Sequence, residues 1–439
     1  MGNIYNYSKL LFQDILKENK SNPLFVFILL LMVTIQTGYA VSNIALGLLI
    51  LATLFTVKKA HIKLEFPLLL PVLMYALMLL SLIWSIDSGG TIKALGKEIA
   101  LFLIPICFML FQSLSAEQRQ KLIKYYCYGI LVFCVFYYIR ALVRYNTTGD
   151  SSVFFYHELV TKDVHAVHVS VYVAIAFFWF FTHASKSYFS IIASGFLLIT
   201  IFLLSSKNII AVIIVLIGIY LAFYWKYSKR FRMKNLILFL LLLTPIFFAG
   251  KIKQRFLIEY QTVADENTLN TENKLSGAVY NKSIREAWTN DTFTASDYFP
   301  GTAFRVYQFR IFTEMLQEDP IFLTGYGLDA SKSKIMEKST EHGLHPGYGT
   351  YNFHNQYVQN FADLGIFGLL LLILMLFINL KNAFKTKDFA HIAFAILMIS
   401  LFLTESFLWR QRGVMFFSLF YCLFNARHDI ASYNTKTSI

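Results

Sequence analysis

The residues best suited to chemistry stand where a polar stretch runs into a long apolar one. In FHNQYVQNFADLGIFG, residues 353–368, His354 and Asn355 open a segment that continues as an apolar run of membrane length. A histidine at a helix N-terminus feels the positive end of the helix dipole, which disfavours imidazolium and leaves the ring able to accept a proton. Such a base could take the proton from an attacking hydroxyl. The plainer reading is a polar cap where the chain enters the bilayer. Other titratable residues stand near the ends of apolar runs: Lys97, Glu98, Arg140, His165, His168, Lys207, Asp363, Glu405, Arg410 and Arg412. Charge inside a membrane segment is costly and marks function by default. Snorkelling to headgroups accounts for long side chains such as Lys97 and Arg410. Asp363 and Glu405 are too short for that.

The elements that must position these groups follow from composition. Of 439 residues, 56% are hydrophobic and only 15% charged, well below the roughly 25% of a soluble domain. The chain reads as an all-α polytopic membrane protein. Runs of membrane length fall at 24–40, 41–57, 67–86, 94–111, 122–143, 165–183, 187–204, 207–225, 235–250, 356–380, 388–407 and 411–427. The first two are divided only by QTGYAVSN. Twelve spans place both termini on one side. With the N-terminus inside, the short cytoplasmic segments hold about twenty Lys and Arg and the short outer loops about six, the asymmetry expected of a cytoplasmic face. Lys226, Lys229, Arg230, Arg232 and Lys234 make the densest group. The net charge of +13 is therefore a topology signal, and nucleic acid is not the expected partner. Residues 1–23 read as an interfacial N-terminal segment, 24–250 as spans one to nine, 356–427 as spans ten to twelve, and 428–439 as a cytoplasmic tail. Cys107, Cys127, Cys134 and Cys422 all fall in spans, so no disulfide framework is implied.

Residues 251–355 form the one long hydrophilic segment, expected to be an outer loop domain. Its first half, 251–300, is rich in Asn, Thr, Glu and Lys and has few apolar anchors. Residues 302–319 read as an amphipathic helix: Thr302 is a candidate N-cap, Phe304, Ile311, Phe312, Met315 and Leu316 repeat at helical spacing, and Pro320 stops it. Arg305 and Phe309 lie one turn apart on a shared face. The Gly- and His-rich stretch that follows reads as loop.

Cations collected at an outer boundary beside such a loop suit a lipid-linked anionic substrate, because Arg and Lys neutralise a diphosphate by charge-assisted hydrogen bonds. The outer loop has no Asp-x-Asp pair to hold a divalent cation, so fixed Arg and Lys are the available charge stabilisers. A zinc site built from His342, His345 and His354, with Glu341, is the competing use of the histidines. The chain has no Gly-x-Ser-x-Gly elbow. Transporters gather polar sites near the bilayer midplane, whereas this chain collects them toward one surface.

FHNQYVQNFADLGIFGLLLLI resembles the signature of the O-antigen ligase and polymerase superfamily, bacterial membrane glycosyltransferases in which a His-Asn pair precedes a Leu-Gly-x-x-Gly helix. The block from Arg305 through Pro320 to Gly325-Tyr326-Gly327, the SSKN turn at 205–208 and LIWSID at 82–87 resemble further parts of the family pattern. The resemblance implies a multi-pass enzyme of the bacterial inner membrane, with about twelve spans and its active site on the periplasmic face. It implies metal-independent, inverting transfer of glycan from undecaprenyl diphosphate to a lipid A-core sugar or another glycan acceptor, without a cofactor. His354 would be the base. Arg305 and Lys207 would bind the diphosphate, with Arg310, Arg410 and Arg412 as further cations, and Asn355, Glu405, Asp363, His165 and His168 would support them. Lys207 stands where the family usually has arginine, which keeps the charge and loses the bidentate fork. A polymerase, a protein O-oligosaccharyltransferase and, outside the enzymes, a lipid-linked sugar transporter are the alternatives.

Overall fold

A computed structural model describes residues 2–162, 164–182, 188–224 and 279–427, with scattered positions between 257 and 269. The helices in chain order are α1 (Gly2–Ser21), α2 (Phe25–Thr34), α3 (Tyr39–Thr56), α4 (Phe66–Leu80), α5 (Ser88–Glu98), α6 (Ala100–Leu110), α7 (Ala116–Thr148), α8 (Tyr156–Leu159), α9 (Ala166–Thr182), α10 (Tyr188–Leu203), α11 (Lys207–Ile219), α12 (Ile284–Thr289), α13 (Gly301–Glu318), α14 (Ser331–Glu341), α15 (Gln356–Thr386), α16 (Phe389–Phe402) and α17 (Gln411–Asn425). Among the described residues, sheet is limited to three two-residue strands, Thr268–Leu269, Tyr280–Asn281 and Asp297–Tyr298.

Among the described residues, five helices are long and apolar enough to cross a membrane: α3, α4 with its extension to Ile83, α7, α11 with its extension to Tyr224, and α15. The expected spans at 24–40, 165–183, 187–204 and 388–407 appear as the shorter apolar helices α2, α9, α10 and α16. The run 94–111 is divided at Ile99 into α5 and α6, and α17 has 15 residues. At 1.5 Å per residue, α2 covers only about 15 Å, half the hydrocarbon core. The expected span 235–250, most of 251–278 and the tail 428–439 lie outside the described residues.

Two apolar cores meet in α15. Its first part, with Val358 and Ala362, packs into a cap core of Phe293, Phe299, Phe304, Tyr307, Phe312 and Ile335. Its second part, with Leu364, Leu372 and Met375, belongs to the bundle core. The division falls between Ala362 and Leu364, next to Gly365, whose φ of 66° breaks the helix. The break frees the N–H of Ile366 to donate to Phe322 O, while Tyr326 N and Gly327 N donate to Ala362 O and Asp363 O. A Cβ on Gly365 would lie 2.1 Å from Leu323 O, so only glycine permits this approach. The Trp84-Ser85-x-Asp87 turn closes the same junction: Trp84 Nε1 donates to Thr324 O at 2.9 Å, and Ile86 N to Tyr326 O.

The amphipathic helix is present as α13, with Phe304, Ile311, Phe312 and Met315 buried as their spacing requires. Its N-cap is Pro300, so Thr302 lies inside the helix and does not cap it. The stretch read as loop contains α14, which the polar sequence concealed. One apolar anchor, Ile335, holds it in the cap, and Lys338 is bound by Glu318 and Glu341.

Candidate active site

The helix end that receives His354 is capped by its neighbour. Asn355 accepts from the N–H groups of Tyr357 and Val358 at 3.0 and 3.2 Å. Asn355 is therefore the polar cap of this helix. His354 has a φ of 48°, a left-handed conformation that costs a non-glycine residue roughly 1–3 kcal/mol. That backbone sends the imidazole toward the corner between α16 and α17, where Nδ1 lies 3.3 Å from Glu405 Oε2. Phe304 and Tyr351 pack around the ring at 5.8 and 5.7 Å.

Glu405 has a second partner. Arg305, from α13, places Nη2 3.2 Å from Glu405 Oε1 and donates through Nε to Thr404 O at 2.8 Å. Its Nη1 donates to Gly301 O. A guanidinium carries five N–H donors, so Arg305 can be fixed by these three contacts and still present N–H groups to an anion. A third element reaches the same corner. Asn208 donates to Thr404 Oγ1 and Ser400 O at 2.7 and 2.8 Å and accepts from Ser400 Oγ. This docks the SSKN turn and brings Lys207, the first residue of α11, beside it. His165 lies within electrostatic reach of Glu405, Arg410 and His354, and its ring centroid is 4.5 Å from that of His157.

The dispersed polar residues of the sequence thus resolve into separate groups. His354, Glu405, Arg305 and the Lys207 turn converge, with His165 and Arg410 at their edge. His168 is buried against Phe407, with ring centroids 4.4 Å apart. Asp363 accepts from Gln359 Nε2 and Ser331 N, at the junction between cap and bundle. Arg310, 140° around α13 from Arg305 by helical geometry, binds Glu314 and the carbonyl of Asn290 inside the cap. Arg412 donates to Thr37 O at 2.6 Å and lies over the ring of Tyr39. The candidate zinc histidines do not converge either. His342 faces Tyr307 Oη and Glu314, and His345 accepts from Gly347 N in its own turn. Among the described residues no group of His, Cys, Asp and Glu has the arrangement of a metal site.

Sequence reasoning missed Asn208 and Thr404, which carry no charge to draw attention. It also gave Glu405 no partner, because 51 residues separate it from His354. Chemically, a carboxylate that accepts from Nδ1–H fixes the imidazole tautomer with its lone pair on Nε2. That pairing, with fixed cations alongside, suits removal of a proton from a hydroxyl and stabilisation of a departing anion.

Residues 192–373 match the family model described as O-antigen ligase. No curated protein matches the chain. The matched region runs from α10 through the cap into α15, and so contains Lys207, Arg305 and His354, whereas Glu405 lies beyond it. Residues 192–373 thus belong to the O-antigen ligase superfamily, within an α-helical membrane protein.

Proposed function

We propose that the chain is an O-antigen ligase type glycosyltransferase, moving glycan from undecaprenyl diphosphate to a sugar hydroxyl of lipid A-core at the periplasmic face of the inner membrane. The observation that carries this reading is Glu405 joining His354 to Arg305. His354 Nε2 takes the proton of the acceptor hydroxyl as its oxygen attacks the anomeric carbon. The bond from that carbon to the diphosphate oxygen breaks on the opposite face, inverting the centre, and lipid diphosphate leaves with the electron pair. Glu405 holds the imidazole in register and balances the imidazolium that forms. Arg305 and Lys207 face the charge that develops on the diphosphate, a task for fixed donors.

A polymerase, whose acceptor is a second lipid-linked glycan, and a protein O-oligosaccharyltransferase would need the same base and the same donor site. A lipid-linked sugar transporter has less support, because the polar group lies where the cap meets the bundle. Glycan analysis of a deletion strain separates the readings. The ligase reading expects lipid A-core without long glycan, and long chains still on the carrier. Carrier bearing only single repeats would replace it with the polymerase.

A further inference from the structure

A basic group gathers on the turn that leads away from Glu405. Phe407–Trp409 makes a short 3-10 helix between α16 and α17, and two distant elements reach the ring of Trp409. Lys97, from the last turn of α5, holds its ammonium 5.3 Å from the ring centroid. Lys332, from the first turn of α14, holds its own at 5.9 Å. Asp329 fixes this platform: it accepts from Trp409 Nε1 and stands 3.7 Å from Lys97 Nζ. Lys93, one turn before Lys97 on the same face of α5, is exposed, as is Lys332. Arg410 follows Trp409, is also exposed, and joins this group to the edge of the His354 group.

Snorkelling explains a lysine near the end of an apolar run. It does not bring Lys332, a residue of the cap, to the same ring. The attraction of an ammonium to a ring at the surface is weak, and Asp329 balances one of the four positive charges. The excess attracts an anion from outside. The neighbouring surface tells which anion. Ile83, Ile86 and Ile92, leading into α5 and along it, are 81, 54 and 58% exposed, a surface suited to acyl chains. The anion therefore belongs to a lipid. A phosphodiester headgroup brings a single charge, whereas lipid A carries a phosphate on each of its two sugars, which suits cations spread over α5, α14 and the turn. Arg305 and Lys207 come instead from α13 and α11, so the proposed diphosphate site is a separate one. Building on the glycosyl-transfer reading, we propose that Lys93, Lys97 and Lys332, with Arg410, form an acceptor-docking surface that takes the phosphate groups of lipid A and so holds the core sugars beside His354.

Native mass spectrometry of the full-length protein tests this with separate probes: lipid A-core, the same molecule stripped of its lipid A phosphates, phosphatidylglycerol and undecaprenyl diphosphate. Wild type should retain lipid A-core at least about tenfold better than the stripped form, the scale of two basic residues acting on an anionic lipid. The pair Lys97→Gln and Lys332→Gln should erase that preference and leave retention of undecaprenyl diphosphate as it was. The pair Lys97→Arg and Lys332→Arg should keep it, because both charges remain. In transfer assays the Gln pair should raise the acceptor KM by about the same factor and leave the donor KM in place. Equal retention of the two lipid A forms by wild type, or an unchanged preference in the Gln pair, would overturn the surface. If the Gln pair does not fold, the wild-type comparison decides alone. Phosphatidylglycerol held as tightly as lipid A-core, or a parallel loss of undecaprenyl diphosphate, would overturn lipid A as the occupant. A wild type that distinguishes the two lipid A forms and transfers no glycan would support the docking surface and remove the glycosyl-transfer reading.

Discussion

His354 and Glu405 meet across 51 residues of chain, with Nδ1 3.3 Å from Oε2. The carboxylate spends its other oxygen on Arg305. One acidic side chain therefore fixes both the proposed base and the proposed anion-binding fork, and disturbing any of the three should be felt by the others.

Arg305 is expected to separate charge from shape. Arg305→Ala should lower glycan transfer by about 10²-fold or more, the scale for one lost charge-stabilising donor group. Arg305→Lys should retain more activity, because the positive charge remains while the fork is lost. Transfer assays in membranes at matched protein level check this. Equal losses would mean that charge contributes nothing at this position.

Asn208 ties the Lys207 turn to Thr404 and Ser400. Asn208→Ala should weaken donor use about five- to tenfold, the cost of one or two hydrogen bonds, chiefly as a higher KM. Lys207→Arg should keep or raise activity by supplying a bidentate partner. A fall in kcat alone for Asn208→Ala would argue against a positioning role for this turn.

Gly365 is expected to matter for stability rather than for chemistry. Gly365→Ala sets a methyl group against Leu323 O and forces φ away from 66°, a loss of more than about 3 kcal/mol by the usual scale of such strain. The cap should become sensitive to limited proteolysis. Unchanged protection would show that the junction closes without the helix break.

The cap should also lose stability in acid. Burial holds the His342 imidazole below its ordinary value of 6.5, with Glu314 pulling the other way. The unfolded chain therefore takes up this proton more readily than the folded one. The stability contributed by the neutral ring is present above that ordinary value and lost as pH falls through the folded one. Thermal unfolding should show the decline in wild type and a smaller one in His342→Gln.

Much of this arrangement was legible before coordinates. The apolar runs report helices, and the spacing of Phe304, Ile311, Phe312 and Met315 gives the buried face of α13. His354 stands out because a titratable residue beside an apolar run has few structural uses, and Arg305 stands out through the family pattern that its block resembles. Their connection does not show, because Glu405 comes to them by tertiary packing and not by local spacing. Arg310 and Arg412 look equivalent to Arg305 in sequence, and only the turn of α13 and the carbonyl of Thr37 separate them from it. The Gly-Tyr-Gly and Trp-Ser-x-Asp motifs, noted in sequence only as parts of a family pattern, fasten the cap at Gly365. Helix α14 was hidden because a single apolar anchor gives no periodicity to read.

The most direct test of the central pairing is a double-mutant cycle on His354 and Glu405, read as glycan transfer by purified protein. If the two side chains act as one unit, His354→Gln, Glu405→Gln and the double variant should show similar residual activity, about 10²–10⁴-fold below wild type, the usual contribution of a positioned base. Substantial activity in His354→Gln, or losses that simply multiply in the double variant, would contradict it.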